Sequence, residues 1–237
     1  VLFQLDPEKA HTLVCGAMEM AQRSDLLLRI LSAYFTVDDP RLHSNVAGLN
    51  LGAVGLAAGF DKEAKLPPFI EALGFGHVEV GTITQLEQLG NPTPRLFRLA
   101  EDESLINRMG FNNAGADNAS VNLEEAAKKT TALIGINIGK SKITPLEDAV
   151  RDYVYSAERL APFASYVVVN VSSPNTEGLR GLQNKKPLME ILYAVKETAG
   201  DKPVFVKIAP DLEITQADDV IYVVNETGIS GIIATNT

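Results

Sequence analysis

From about residue 50, short apolar runs alternate with stretches in which apolar residues recur at helical spacing. The runs cover residues 53–58, 77–81, 132–138, 166–171, 204–208 and 231–234 and predict strands. The helical patterns lie near residues 64–73, 114–128, 145–160, 186–199 and 215–227. Nearly continuous apolar strands separated by helices predict a parallel sheet covered on both faces. Several strands end on small or polar residues: Gly59, Gly81, Asn137, Asn170, Lys207 and Asn236. Such ends form the active face of a (β/α)8 barrel, and they equally line the crevice of a doubly wound sheet. The rhythm alone leaves both folds open.

Residues 1–44 follow a different pattern. Asp6, Pro7 and Glu8 form a helix start, with a capping carboxylate, a proline suited to the first turn and an acid at the positive helix end. Ala10, Leu13, Val14, Ala17, Met18 and Ala21 then mark one apolar stripe. Residues 26–35 are apolar at all but two positions and too short to span a bilayer. They predict a helix that packs on the main domain or presents a face to lipid or an apolar ligand, with packing favoured on composition alone. Residues 83–112 interrupt the later rhythm as a long insertion, of the kind that usually carries function.

Composition narrows the chemistry. The 237-residue chain has a formal net charge of −9, which makes nucleic acid an unexpected partner and disfavours nonspecific adhesion to anionic lipid. Cys15 is the one cysteine, so no intrachain disulfide forms, which fits a reducing compartment. His11, His43 and His77 show no metal-ligand spacing, and no metal is expected. No apolar stretch is long enough for a transmembrane helix, and residues 1–4 carry no signal-peptide pattern.

The strand ends carry the candidate chemistry. Residues 57–62 (AAGFDK) offer small residues that let a ligand approach the backbone, followed by Asp61 and Lys62. On its own this segment fits a tight βα turn with a surface ion pair better. Residues 107–113 set Asn107, Asn112 and Asn113 beside Gly110 and Phe111; clustered amides suit a planar imide or carboxylate, although an Asn- and Gly-rich turn is also common. Asn137 in the segment 137–140 has the same ambiguity. The loop 170–175 (NVSSPN) presents two amides and two hydroxyls around Pro174. No nearby histidine or GxSxG spacing supports a hydrolase, and a serine base would need help from its surroundings. Lys207 ends a buried strand and should face a negative centre, with a Schiff-base lysine as the rival role. The combined site is rich in amides, has one or two lysines and suits an anionic, hydrogen-bonding planar ligand.

Taken in order, AGFDK (58–62), INRMGFNN (106–113), GINIGK (135–140), NVSSPNTEGLR (170–180), VKIAPD (206–211) and IATNT (233–237) resemble the dihydroorotate dehydrogenase family from about Leu2 to the last residue. The resemblance implies a (β/α)8 TIM barrel holding FMN, with about six of eight strand units in 45–237 and a helical membrane and quinone-access region in 1–44. It implies oxidation of (S)-dihydroorotate to orotate in pyrimidine (UMP) biosynthesis. One class of the family uses Cys before the Pro as base, and the membrane-associated, quinone-reducing class uses Ser; here Ser173 holds that position. Ser173 would take the C5 proton of dihydroorotate while a hydride leaves C6 for N5 of FMN. Phe111 and Thr176 would shape the proton's route.

By the same resemblance, Lys62, Asn107, Arg108, Met109, Gly110, Phe111, Asn170, Asn175, Asn236 and Thr237 would hold the substrate. Ala57, Ala58, Gly59, Lys62, Gly81, Thr82, Asn137, Asn170, Lys207 and Thr235 would line FMN, with Lys207 stabilising negative charge on the reduced ring. His11 and Arg98 match positions near the quinone pocket. The expected partners are dihydroorotate or orotate, a membrane quinone and the membrane itself, contacted peripherally by a monomer on the cytoplasmic side of the bacterial inner membrane, or on the mitochondrial inner membrane. Gln85 stands where the family pattern expects Pro. Family members continue through two further strands that supply glycine-rich donors to the FMN phosphate, so the chain reads as a fragment that would hold FMN weakly by itself. Another FMN barrel acting on a dihydropyrimidine, a Schiff-base barrel lyase using Lys207, and a catalytically inactive binding protein are the alternatives.

Overall fold

A computed structural model describes residues 2–236. Helix α1 (Pro7–Ala21) starts as its sequence dictates: Asp6 accepts hydrogen bonds from the Glu8 and Lys9 backbone N–H groups at 3.1 and 3.0 Å, and Pro7 occupies the first turn. Helix α2 (Asp25–Phe35) is capped by Ser24. A hairpin that the periodicity did not predict follows, with β1 (His43–Val46) and β2 (Leu49–Gly52) antiparallel around Ala47 and Gly48, both at positive φ.

The βα rhythm then runs through β3 (Gly55–Leu56), α3 (Pro67–Ala72) and β4 (His77–Thr84). The insertion is not a structureless loop. It contains an antiparallel hairpin, β5 (Leu96–Leu99) and β6 (Ser104–Asn107), hidden from the sequence reading because its two short strands are flanked by prolines and charged residues. The series continues with α4 (Gly115–Ala127), β7 (Leu133–Gly139), α5 (Ala149–Leu160), β8 (Tyr166–Asn170), α6 (Lys185–Ala199), β9 (Val204–Lys207), α7 (Ile214–Thr227) and β10 (Gly231–Ile233).

Six strands form one parallel sheet in the order β10-β9-β8-β7-β4-β3. Once the inserted hairpin is set aside, spatial order is chain order. A doubly wound sheet reverses direction at a switch point, whereas a βα barrel adds each strand on the same side. The sheet is therefore a curled half-barrel, consistent with a partial TIM barrel, and resolves the choice that the rhythm left open.

Strand parity divides the core. Val78, Val80, Ile134, Ile136, Ile138, Val167, Val169, Val204 and Val206 join Leu123, Tyr153, Leu188, Ile191 and Val223 of the helices in the main apolar layer. Each such buried aliphatic side chain contributes about 1.5–3 kcal/mol relative to exposure. The alternate positions face inward. There Tyr166, Val168 and Phe205 form a second cluster, with the Tyr166 and Phe205 rings edge to face at 5.6 Å. Above that plug, inward positions turn polar: Glu79, Asn137, Asn170 and Lys207. The inward strand ends thus face a common site, held rigid by the apolar layer behind it.

The N-terminal helices are unequal. Alpha1 buries Ala10 and packs Cys15 and Met18 against the core, whereas α2 has no buried residue and leaves Leu26, Ile30 and Tyr34 exposed at 70, 57 and 81 %. Both helices pack on the main domain as expected, α2 lying along α3 beside Pro68, Glu71 and Ala72, but α2 also leaves an apolar face outward. No described helix is long and apolar enough to cross a membrane.

Candidate active site

A cavity of about 280 Å³ opens at the C-terminal ends of the strands. Its wall brings together Ala58, Gly59 and Lys62 after β3, Thr82 on β4, and Asn107, Met109, Gly110 and Phe111 from the insertion. Asn170, Ser173, Pro174 and Asn175 enter from β8 and its loop, Lys207 from β9 and Asn236 after β10. Alpha1 covers one side with Glu8 and His11. Residues separated by up to 228 positions, from Glu8 to Asn236, therefore share one wall.

A buried amide network orders the floor. Asn170 Nδ2 donates to Thr82 Oγ1 at 2.9 Å and to Asn137 Oδ1 at 3.0 Å, and Thr82 Oγ1 donates to the same Asn137 oxygen at 2.5 Å. Asn170 Oδ1 accepts from the Ser172 hydroxyl and backbone N–H, so this side chain directs the turn that follows it. Tyr153 OH donates to the Asn170 carbonyl from beneath at 2.7 Å. Ser172 is consumed by this bracing. Ser173 instead reaches the cavity, with its Oγ accepting from the Asn175 N–H at 3.2 Å.

The rest of the wall is positioned locally. Gly59 stands at φ +113° with open space where a Cβ would be, so a planar group can approach its backbone. Phe111 holds positive φ, and its ring and the Thr82 methyl crowd Gly139, where a Cβ would lie 2.9 and 2.7 Å from them. Asn175 Nδ2 spans to Asn107 Oδ1 at 3.4 Å, joining the β8 loop to the insertion. The Thr176 hydroxyl is buried without a hydrogen-bond partner among the described residues. Asn113 braces the insertion by donating to Thr84 Oγ1 and accepting from the Thr84 and Gly115 N–H groups.

The charges have distinct tasks. Lys62 Nζ donates to Asn112 Oδ1 at 3.1 Å, and burial lowers its pKa to about 8 against the opposing pull of Glu8. Asp61 turns away from the cavity to accept the Lys65 and Leu66 N–H groups. Lys207, 6 % exposed, lies 3.7 Å from the buried Glu79 carboxylate. A lysine tied to a carboxylate suits a fixed cation rather than a free amine nucleophile. His11 Nε2 donates to the Phe60 carbonyl at 2.9 Å, and burial lowers the imidazole pKa. Burial pushes the Cys15 thiol up to about 11, which leaves it unreactive.

Some expected positions lie off the wall. Asn137 and Gly81 sit behind it, the first bonded to its lining residues and the second at φ +103°. Ala57 and Thr235 are exposed beside it. Arg108 is exposed, donating to the Pro94 carbonyl and lying over the Phe97 ring. Arg98 fastens the N-terminal stretch through the Leu5 carbonyl at 2.6 Å. Thr237 lies outside the described residues.

The sequence reading missed Glu79, Glu8 and Arg95. Arg95 binds both Glu8 carboxylate oxygens, with a closest approach of 2.6 Å, and fastens α1 to the insertion. Glu79 had a signal: it is a charged residue between Val78 and Val80, and the strand's alternation turns it inward with His77 and Gly81.

Comparison with known proteins agrees with this geometry. The family described as dihydroorotate dehydrogenase matches residues 41–237. A dihydroorotate dehydrogenase (quinone) of Halobacterium salinarum is 48 % identical over 237 residues, covering 100 % of this chain and 67 % of that protein. A relative of the same name from Natronomonas pharaonis is 51 % identical with the same coverage. The chain thus spans about two thirds of the length of these relatives. The crystal structure of DHODH from Eimeria tenella in complex with ferulenol aligns with a TM-score of 0.88 at 39 % identity, covering 100 % of this chain and 70 % of that one.

Proposed function

Because the chain belongs to the dihydroorotate dehydrogenase family, we propose that it oxidises (S)-dihydroorotate to orotate in pyrimidine (UMP) biosynthesis, with FMN as the flavin and a quinone as final electron acceptor. The family is flavin-dependent in general, and the wall described above fits FMN: an open backbone at Gly59, the Thr82–Asn137–Asn170 amide network and a fixed cation at Lys207. When bound, FMN supplies the hydride acceptor. Ala58, Gly59, Thr82, Asn137, Asn170 and Lys207 would hold it.

The observation that carries the reading is Ser173 in one cavity with Lys62 and the amides of Asn107, Asn170, Asn175 and Asn236. A dihydropyrimidine carboxylate needs a cation for its carboxylate and two-way hydrogen-bonding partners for its ring amides, which Lys62 and the asparagines provide. Ser173 takes the C5 proton. The Asn175 N–H bonded to its Oγ stabilises negative charge developing there. Phe111 shields the site from water, and the unpartnered Thr176 hydroxyl is suited to receive the proton next.

The apolar face of α2 supports peripheral contact with the membrane, and His11 with Arg98 supports quinone access along the α1 seam, on the bacterial inner membrane's cytoplasmic side or the mitochondrial inner membrane. Replacing Ser173 by Ala tests the base. Flavin reduction by dihydroorotate should slow by roughly 10²–10⁴-fold with FMN still bound. A Ser173→Ala protein that reduces its flavin at the wild-type rate removes Ser173 from the mechanism.

A further inference from the structure

Glu79 lies mid-strand on the inward face of β4 and is 5 % exposed. Its Oε1 accepts a hydrogen bond from Asn137 Nδ2 at 2.7 Å and stands 3.7 Å from Lys207 Nζ. Three strands, β4, β7 and β9, thus meet at one carboxylate directly behind the cavity wall. Its other titratable neighbours are His77 on the same strand and Tyr166 on β8, and burial favours the neutral form of both. The charge balance behind the wall is therefore one carboxylate against one ammonium.

Stability does not call for this pair. Apolar residues of similar volume usually serve a barrel interior as well as a buried ion pair does, because two charges must be stripped of water. Nor does Glu79 touch the cavity itself. What it does is fix two groups that face the flavin site: Lys207 directly, and Thr82 with Asn170 through Asn137.

We infer that Glu79 is a positioning residue that pins Lys207 and Asn137 behind the flavin site and cancels the lysine's charge, thereby setting the reduction potential of the bound flavin. The inference rests on the FMN reading above. A reduced flavin carries more negative charge than an oxidised one, so an uncompensated cation beside it favours reduction. With Glu79 in place, Lys207 supplies directed charge without driving the flavin so far towards the reduced form that it holds its electrons against the quinone.

The test is the midpoint potential of the FMN-loaded protein, measured by spectroelectrochemical titration. Glu79→Gln should raise the potential by at least a tenfold change in the reduced-to-oxidised ratio, about 30 mV for a two-electron couple. Lys207→Met should lower it. The double variant, with both charges gone, should return close to the wild type. If Glu79→Gln alone does not fold, the double variant against Lys207→Met isolates the same charge, and the double variant should be the more positive. An unmoved potential in Glu79→Gln, a shift in the same direction as Lys207→Met, or equality in the second comparison overturns the inference. A wild-type protein that takes up no flavin even at saturating FMN overturns the FMN reading itself, which keeps the two failures distinct.

Discussion

Lys62 joins the cavity wall to the seam with α1, and its charge is conditional. Burial lowers its pKa to about 8, so the ammonium form dominates at neutral pH and is lost as pH rises through that value. An anionic ligand beside it binds the ammonium form better, so orotate affinity should be steady below about pH 7 and fall by up to about tenfold per unit well above pH 8. Isothermal titration across pH should show this limb in the wild type and not in Lys62→Met. At this scale the candidate wall was readable where a polar residue ends an apolar run, as at Asn170 and Lys207, but not at Lys62, whose segment by itself read as a turn with a surface ion pair. Local chemistry did not separate Ser172 from Ser173, because only the three-dimensional network shows that Ser172 is bonded to Asn170. The resemblance to a known family made that distinction. Glu79 stayed hidden because a charge within an apolar run is interpretable only once strand parity is known.

The elements differ in how firmly they are held. Alpha1 is fastened by the Glu8–Arg95 pair and by His11 on the Phe60 carbonyl. Glu8→Gln should weaken that docking by about 1–3 kcal/mol, seen as faster hydrogen exchange in α1 with the barrel strands unchanged. Uniform protection in the variant would show that the pair does not hold the helix. Alpha2 presents Leu26, Ile30 and Tyr34 to solvent. Replacing these three by Ser should reduce co-sedimentation with lipid vesicles several-fold and leave flavin reduction by dihydroorotate unchanged; undiminished vesicle binding would remove α2 as the membrane contact. Helix starts such as Asp6-Pro7 were legible because capping is local. The β5–β6 hairpin was not, because its strands are four residues each and their pairing depends on contacts beyond the segment.

On the scale of the whole molecule, alternating strands and helices established a parallel α/β architecture, and spatial order separated barrel from doubly wound sheet. That order explains how weak local motifs form a strong site: five strand ends line one cavity, the sixth, β7, braces it from behind through Asn137, and α1 with the insertion covers one side. The central claim is that this convergence recognises dihydroorotate, carboxylate included. Anaerobic stopped-flow mixing of the FMN-loaded protein with dihydroorotate, and separately with dihydrouracil, tests it most directly. Rapid bleaching of the flavin by dihydroorotate, with dihydrouracil slower by at least about 10²-fold for want of a carboxylate to meet Lys62, is the predicted result. Equal rates with both substrates, or no bleaching by dihydroorotate, would contradict it.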